Sequence, residues 1–523
     1  MLGYLGLGYL AARGVPGNVK PRALGGEEHL GEPQRDDERW KFRGFGVDHI
    51  TELTQVPVRI TADSPASKTK FKLDFSEYDV VVIGGAAAGL SAAACLERRG
   101  VKRVLVVEKN ETVGDIWRSR YHRLHLHDIA EECSLPGFDL PKHFPKFPTR
   151  EQFASYLEAY ALCKRINITY LTLVKNVRQQ PGSGKWEVEL EDLCPQRELG
   201  QRQIITCKHV VLCNGVYNDP FVPKIPIDNG YTGLQVHSSR YTNGTELGLK
   251  GKRVLVVGYG NSAAEIAVDL VEHGAKVPTV LIRSEVTIVP RWAVQRSQEV
   301  LHTHVLPLLS VPFGWAVVGL GALLVDPMSL LVQQAEYGGK SGLAKLGLPL
   351  SWKLPVTRAV LDKEPPVMDV GTIDCARRGL LRMKQGEIEA VDGLKVSFKG
   401  SSNNEPEEFD CIVWATGYNM FQGHRHLFDP ELFAKVGNGV DGLLMHRALP
   451  GLEHAEVKGL WLNYGRIQMV NHGAHLLAKG IAQDLGVNGG ENDLVDAGES
   501  WSIFLAKHAA VAGVGYYVWK SKL

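Results

Sequence analysis

No two cysteines in this chain stand as a CxxC pair; the eight (Cys95, Cys133, Cys163, Cys194, Cys207, Cys213, Cys375, Cys411) are scattered through 523 residues. That scatter opposes a redox dithiol, a zinc knuckle and a secreted disulfide scaffold, so no metal is expected and a reducing, cytoplasmic home is. An excess of either charge is missing too. Lysine plus arginine number 59 against 58 acids, which leaves no global field to recruit nucleic acid or an acidic membrane. Acids are absent before Glu27, where "MLGYLGLGYLAARGVPGNVKPRALGG" mixes apolar residues with Arg13, Lys20 and Arg22. This stretch reads as a transit segment, a membrane-surface helix or a frayed extension. Long apolar runs are scarce: Val305 to Val325 has 21 residues without a charge, on paper roughly 32 Å of helix against a hydrocarbon core of about 30 Å. Pro307, Pro312, Gly314, Gly319 and Gly321 weaken it, so a buried core or substrate-tunnel helix is preferred to membrane contact or spanning.

What is present is a repeated grammar. "YDVVVIGGAAAGLSAAACLERRGVKRVLVVEKN" (Tyr78 to Asn110) runs apolar strand, small-residue turn, helix, strand, and "KRVLVVGYGNSAAEIAVDL" starts the same sequence again from Lys252. Both are parallel βαβ units, so the expected fold class is α/β with two dinucleotide-binding, Rossmann-like domains, the second inserted into the first. At this length two or three domains are the default. The expected boundaries are an extension over 1–77, the first part of the first dinucleotide-binding domain over 78–225, the inserted second domain over 226–400 with its apolar insertion near 305–325, the return segment of the first domain over 401–485, and a tail over 486–523. "HVVLCNGVYNDPFVP" and "CIVWATGYN" are two similar strand ends, read as the points where the chain leaves and returns. The apolar, aromatic tail either docks on the body or touches a membrane.

In the first turn Gly84, Gly85 and Gly89 frame Ala86, Ala87 and Ala88, with Ala86 where G-x-G-x-x-G has its second glycine. Gly84 makes the tight turn, Gly89 permits close helix packing, and the helix start presents free amides to a pyrophosphate. Glu108, 24 positions after Gly84 and followed by Lys109, ends the second strand, where a carboxylate accepts ribose hydroxyls and repels a 2′-phosphate. FAD or NAD is expected there rather than NADP. A structural turn with a solvated Glu108 is the bland alternative.

The second turn places Gly258 and Gly260 ahead of Asn261 and Ser262, with Ala263 for the third glycine. The acid after the next strand is absent. "LIRS" stands there instead, and Arg283 with Ser284 suits a 2′-phosphate, so NADPH is expected. Two such sites of opposite preference make sense if hydride passes from one nucleotide to the other.

Between the units, "YTGLQVHSSRY" (Tyr231, Gly233, His237, Tyr241) resembles the FxGxxxHxxx(F/Y) signature of flavin-containing and related class B monooxygenases. "GDIWRSRYHRLHLH", "FPTREQFASYLEAYA", "GYGNSAAEIAVDL", "PPVMDVGT" and "IVWATGY" resemble segments of the YUCCA-type flavin monooxygenases, over roughly residues 78 to 485. Departures are Ala86, "CNG" at Cys213 to Gly215 where the family has "ATG", and "LHLHD" for "LHLPK".

The resemblance implies a cycle in which NADPH reduces FAD, oxygen adds to the flavin as a peroxide, and a small-molecule substrate is oxygenated: a 2-oxo acid such as indole-3-pyruvate, or a soft nitrogen or sulfur centre. It implies that His127 contacts peroxide or substrate, that Trp117 packs beside the flavin, that His237 and Tyr241 shape the nicotinamide approach, and that Thr416 and Gly417 lie near the flavin. "NYGRIQMVNHGAHLLAKGIA" would close the flavin pocket with another helix start. The alternatives are an NADPH-dependent reductase, whose thiol version the missing CxxC opposes, and a non-catalytic flavin-binding sensor. Peripheral attachment to the endoplasmic reticulum or another internal membrane is a further expectation; the oligomeric state is left open.

Overall fold

The computed structural model describes residues 73, 76–195, 200–215, 217–225, 227–300, 334–349, 366–399, 405–419, 424–436, 451–454, 456–465 and 467–487. The expectations placed on residues 1–72, on the apolar run 305–325 and on the tail beyond 487 lie outside the described residues.

The first apolar run forms strand Glu77–Ile83, the alanine-rich run forms helix Ala87–Arg98, and "VLVV" forms strand Val104–Val107. The two strands pair in parallel with Ile83 opposite Val107. They sit inside an eight-stranded sheet whose order is Leu452–Glu453, Leu460–Leu462, Arg202–Leu212, Glu77–Ile83, Val104–Val107, Ile168–Thr169, with Thr172–Gln179 and Trp186–Asp192 branching antiparallel from Arg202–Leu212. Alternate residues of the central strands go to opposite cores, as the period of two requires. Val80, Val82, Val104 and Val106 pack under helices Ala87–Arg98, Arg150–Cys163 and Ile467–Asp484. Val81, Ile83, Leu105 and Val107 meet Trp186, Val188, Leu427 and Phe433 on the other face.

A second parallel sheet has the order Arg382–Gln385, Thr279–Ile282, Val254–Val257, Cys411–Trp414, Leu234–His237. Its strands are nearly continuous apolar runs because both faces are covered. Beside it lies a four-stranded sheet of Glu407–Glu408, Lys395–Lys399, Glu387–Gly393 and Ile227–Tyr231. The chain divides into two units: one holds Pro223–Thr416, and the other takes in the described residues up to Val222 with those from Gly417 onward. The return into the first unit was expected at 401 and falls at Gly417, because strand Cys411–Trp414 is an interior member of the second sheet, paired to both Val254–Val257 and Leu234–His237. Just before the chain leaves and just after it returns, the two segments bond to each other within the unit of residues up to Val222 and from Gly417: Phe221 N donates to Gly417 O at 3.0 Å and Asn419 N to Asp219 O at 2.8 Å.

All eight cysteines are free thiols. Among the described residues no helix is long and apolar enough to cross a membrane, and no group of three or more His, Cys, Asp or Glu is placed to hold a metal ion.

Candidate functional site

The two glycine turns start alike. Gly84 N donates to Val107 O and Gly258 N to Leu281 O, both at 2.9 Å, so each turn hangs from the end of the neighbouring strand. Both glycines have φ of +103°, and a Cβ on either would come 2.6 Å from a carbonyl, that of Cys213 or of Ala415. Only glycine tolerates that conformation and that approach. "CNG" and "ATG" are therefore equivalent pieces: each follows the strand flanking its turn and supplies the carbonyl that the turn glycine abuts. Thr416 accordingly lies beside the second turn, one residue past that carbonyl.

Beyond the first glycine the turns diverge. A Cβ on Gly89 would sit 1.8 Å from Gly84 O, so the first helix lies against its own turn. Gly260 has nothing within 4 Å of where a Cβ would be, so its backbone faces open space. Helix Ala87–Arg98 has Ala86 as its N-cap and helix Asn261–Glu272 has Gly260; neither carries a side-chain cap or an acid in its first turn. Helix Arg150–Cys163, in contrast, has a complete capping box, with Thr149 and Gln152 satisfying each other's amides. The uncapped amides at Ala87, Ala88, Asn261 and Ser262 are what a pyrophosphate needs.

Glu108 is buried at the end of its strand, with Oε2 accepting from Gly85 N at 2.7 Å and Oε1 from Asn110 N at 2.9 Å and Asn110 Nδ2 at 2.8 Å. Burial pushes its carboxyl above the ordinary value, against the amides of Asn110 and Gly85, which favour the charged form. Three donors leave a carboxylate about one further lone-pair site for a ribose hydroxyl. Glu108 packs closely over Gly85: a Cβ there would lie 3.1 Å from Glu108 Oε2. Lys109 follows on the surface. In the second unit Val257 pairs with Leu281, which makes Ile282 the counterpart of Glu108 and Arg283 that of Lys109. Arg283 and Ser284 are exposed, and the guanidinium lies 3.6 Å from Glu387 Oε1, a loose pair that leaves it able to meet a phosphate. Asn261 does not point wholly to a ligand, since its Oδ1 accepts from Met368 N at 2.8 Å.

The signature segment has a structural logic. Tyr231 donates its hydroxyl to Phe409 O at 2.9 Å, and Gly233 has no room for a Cβ between that hydroxyl and Asp410 O. His237 Nδ1 accepts from Ser239 N at 3.1 Å, which places its proton on Nε2. Tyr241, fully buried, donates to Asp269 Oδ2 at 2.6 Å, and Gly244 N joins it at 3.0 Å. Burial first, and then the Asp269 charge, push the Tyr241 phenol far up, so it remains a donor.

His127 is half-buried and follows a segment pinned by Leu126 N to Pro148 O at 2.8 Å and Arg150 N to Leu124 O at 3.0 Å. Trp117, on the short helix Asp115–Arg118, meets Phe153 edge to face at 4.8 Å. Arg118 beside it forks onto Glu158 at 2.5 and 2.9 Å, tying this turn to helix Arg150–Cys163. Asn463 is a residue that motif reading missed: fully buried, it donates through Nδ2 to Ala88 O and Val470 O, both at 3.1 Å, and so joins the first turn to helix Ile467–Asp484. Nothing local marks it, because its partner is 375 positions away.

A family model described as pyridine nucleotide-disulphide oxidoreductase matches residues 81–300. The chain is 32% identical over 345 residues to the probable indole-3-pyruvate monooxygenase YUCCA1 of Arabidopsis thaliana, covering 65% of this chain and 75% of that one. Among solved structures, a flavin-containing monooxygenase from Stenotrophomonas maltophilia superposes with a TM-score of 0.54 at 20% identity, covering 79% of this chain and 100% of that one. OTEMO in complex with FAD and NADP gives 0.54 at 17% identity, covering 78% and 86%. The chain belongs to the YUCCA-type flavin-containing monooxygenase family and is an FAD- and NADPH-dependent monooxygenase acting with O2 on a small-molecule substrate.

Proposed function

We propose that the turn Gly84–Gly89 holds FAD, that the turn Gly258–Ala263 holds NADPH, and that the substrate is a 2-oxo acid of the indole-3-pyruvate kind, decarboxylated oxidatively. The observation that carries the division of labour is the contrast at the strand ends: the first has a buried carboxylate, Glu108, where the second has apolar Ile282, and the second continues into exposed Arg283 and Ser284, a planar fork and a hydroxyl suited to a phosphate, where the first has Lys109 and Asn110. The names of the curated relatives, indole-3-pyruvate monooxygenases, support the substrate class.

The chemistry supplied by bound FAD is hydride acceptance from NADPH and activation of O2. The protein's share is to bind, orient and keep out water. The uncapped amides of both helices bind pyrophosphates, Glu108 accepts from the flavin nucleotide's ribose, and Arg283 with Ser284 donates to the 2′-phosphate of NADPH. Trp117 lies beside the flavin on its buttressed turn, and Thr416 and Gly417 line the route of the returning chain. His237, protonated on Nε2, is a donor for the nicotinamide side, with Tyr241 fixing its segment. His127 contacts the substrate or the activated oxygen.

The test is turnover of the purified yellow protein on indole-3-pyruvate, a simple 2-oxo acid and an amine, with product mass measured. A decarboxylated acid at one NADPH per product is expected; oxygenated amine alone would overturn the substrate class. In His127→Ala we expect NADPH consumption to continue while at least about half of it ends as hydrogen peroxide. Full coupling would remove His127 from the site.

A further inference from the structure

One residue separates the first two glycines of the second turn. It is Tyr259, buried, with its hydroxyl 2.8 Å from Thr372 Oγ1. Thr372 itself donates to Asp369 Oδ1 at 3.0 Å. A threonine hydroxyl has one proton, and the carboxylate takes it, so Tyr259 must donate to Thr372. Asp369 is the hub: Oδ1 also accepts from Gly371 N at 3.0 Å and Ile373 N at 3.4 Å, and Oδ2 from Tyr337 at 3.1 Å. On the other side of Gly260, Asn261 Oδ1 holds Met368 N at 2.8 Å. The segment Val367–Thr372 thus grips the turn at Tyr259 and at Asn261, leaving between them only Gly260, the residue that faces open space.

We infer that Asp369, through Thr372 and Tyr259, is a positioning residue for NADPH: it fixes the backbone of Gly260 and Asn261 at the place where a pyrophosphate would lie. The inference rests on the second turn being the NADPH site. It differs from the role of Arg283, because the pyrophosphate is common to NADPH and NADH whereas the 2′-phosphate is not. Loss of the tether therefore weakens both coenzymes equally and leaves their ratio unchanged. It touches no reacting atom, so turnover at saturating coenzyme is preserved.

The experiment compares Thr372→Val, Thr372→Ser, Tyr259→Phe and Gly260→Val in the FAD-loaded full-length enzyme. Thr372→Val, of equal size but without the hydroxyl, is expected to raise KM for NADPH and for NADH by the same factor, about three- to tenfold. Its kcat stays within about twofold and its flavin content is unchanged. Thr372→Ser restores KM, and Tyr259→Phe reproduces the Val effect. Unchanged KM in both Thr372→Val and Tyr259→Phe, with Gly260→Val still raising KM sharply, overturns the tether and leaves the site. Unchanged KM in Gly260→Val as well overturns the assignment of NADPH to this turn. A fall in kcat or flavin content at constant KM would reduce the network to structural support.

Discussion

The two glycine turns share one backbone and differ in what stands behind it. In the first, Gly85 is squeezed against a buried acid, the helix is pressed onto its own turn at Gly89, and Asn463 closes from just past the strand Leu460–Leu462. In the second, the same positions hold Tyr259, Ala263 and a network from Val367–Thr372, and the strand ends on apolar Ile282 ahead of exposed Arg283. The lesson is that the hydrogen bonds defining the turn belong to the fold, whereas the cofactor preference proposed for each turn rests on the residues that neighbouring segments bring to it.

The sharpest way to break this comparison is to add a methyl group to each turn. Gly89→Ala places a carbon where Gly84 O already is, so we expect about 3 kcal/mol of destabilisation and colourless protein on purification. Gly260→Ala has room, so its melting temperature stays near that of the parent while coenzyme binding suffers. Equal melting temperatures for the two variants would show that the turns do not differ as described.

Next in size is the charge contrast. Arg283→Ala should raise KM for NADPH about 30-fold with little change for NADH, and Glu108→Gln should loosen FAD about tenfold by equilibrium dialysis. If Arg283→Ala affected both coenzymes alike, the 2′-phosphate assignment would fall.

The smallest effect concerns the far end of the first helix. Burial raises the Glu97 carboxyl from 4.5 to about 7. Because the folded value lies above the unfolded one, its contribution to stability is complete below about pH 4.5 and is lost as pH rises through about 7. Glu97→Gln should flatten the decline in melting temperature between about pH 5 and 8 by about 2 °C, a figure kept low because the side chain is only half-buried. An unchanged slope would count against it.

Both βαβ units were legible in the sequence because strand, turn and helix each announce themselves within a dozen residues. The apolar runs at Val80 and Val254, the small residues at 84–89 and 258–263, and Glu108 needed only local pattern. The closure of the site was not legible. Thr372 meets a tyrosine 113 positions before it, Asn463 meets Ala88, and strand Cys411–Trp414 chose the second sheet by pairing, which periodicity does not encode. The likeness of "CNG" to "ATG" was visible as a strand ending; its work of abutting a turn glycine appears only in three dimensions.

The paired segments at Phe221 and Gly417 carry a consequence for ancestry and engineering. Since the exit and re-entry of the chain are already hydrogen-bonded neighbours at 3.0 Å, the roughly 190 residues between them are a cassette whose ends nearly touch. A short splice from Val222 to Gly417 would close the host without stretching it, which is the arrangement expected if one nucleotide-binding module was once pasted into another.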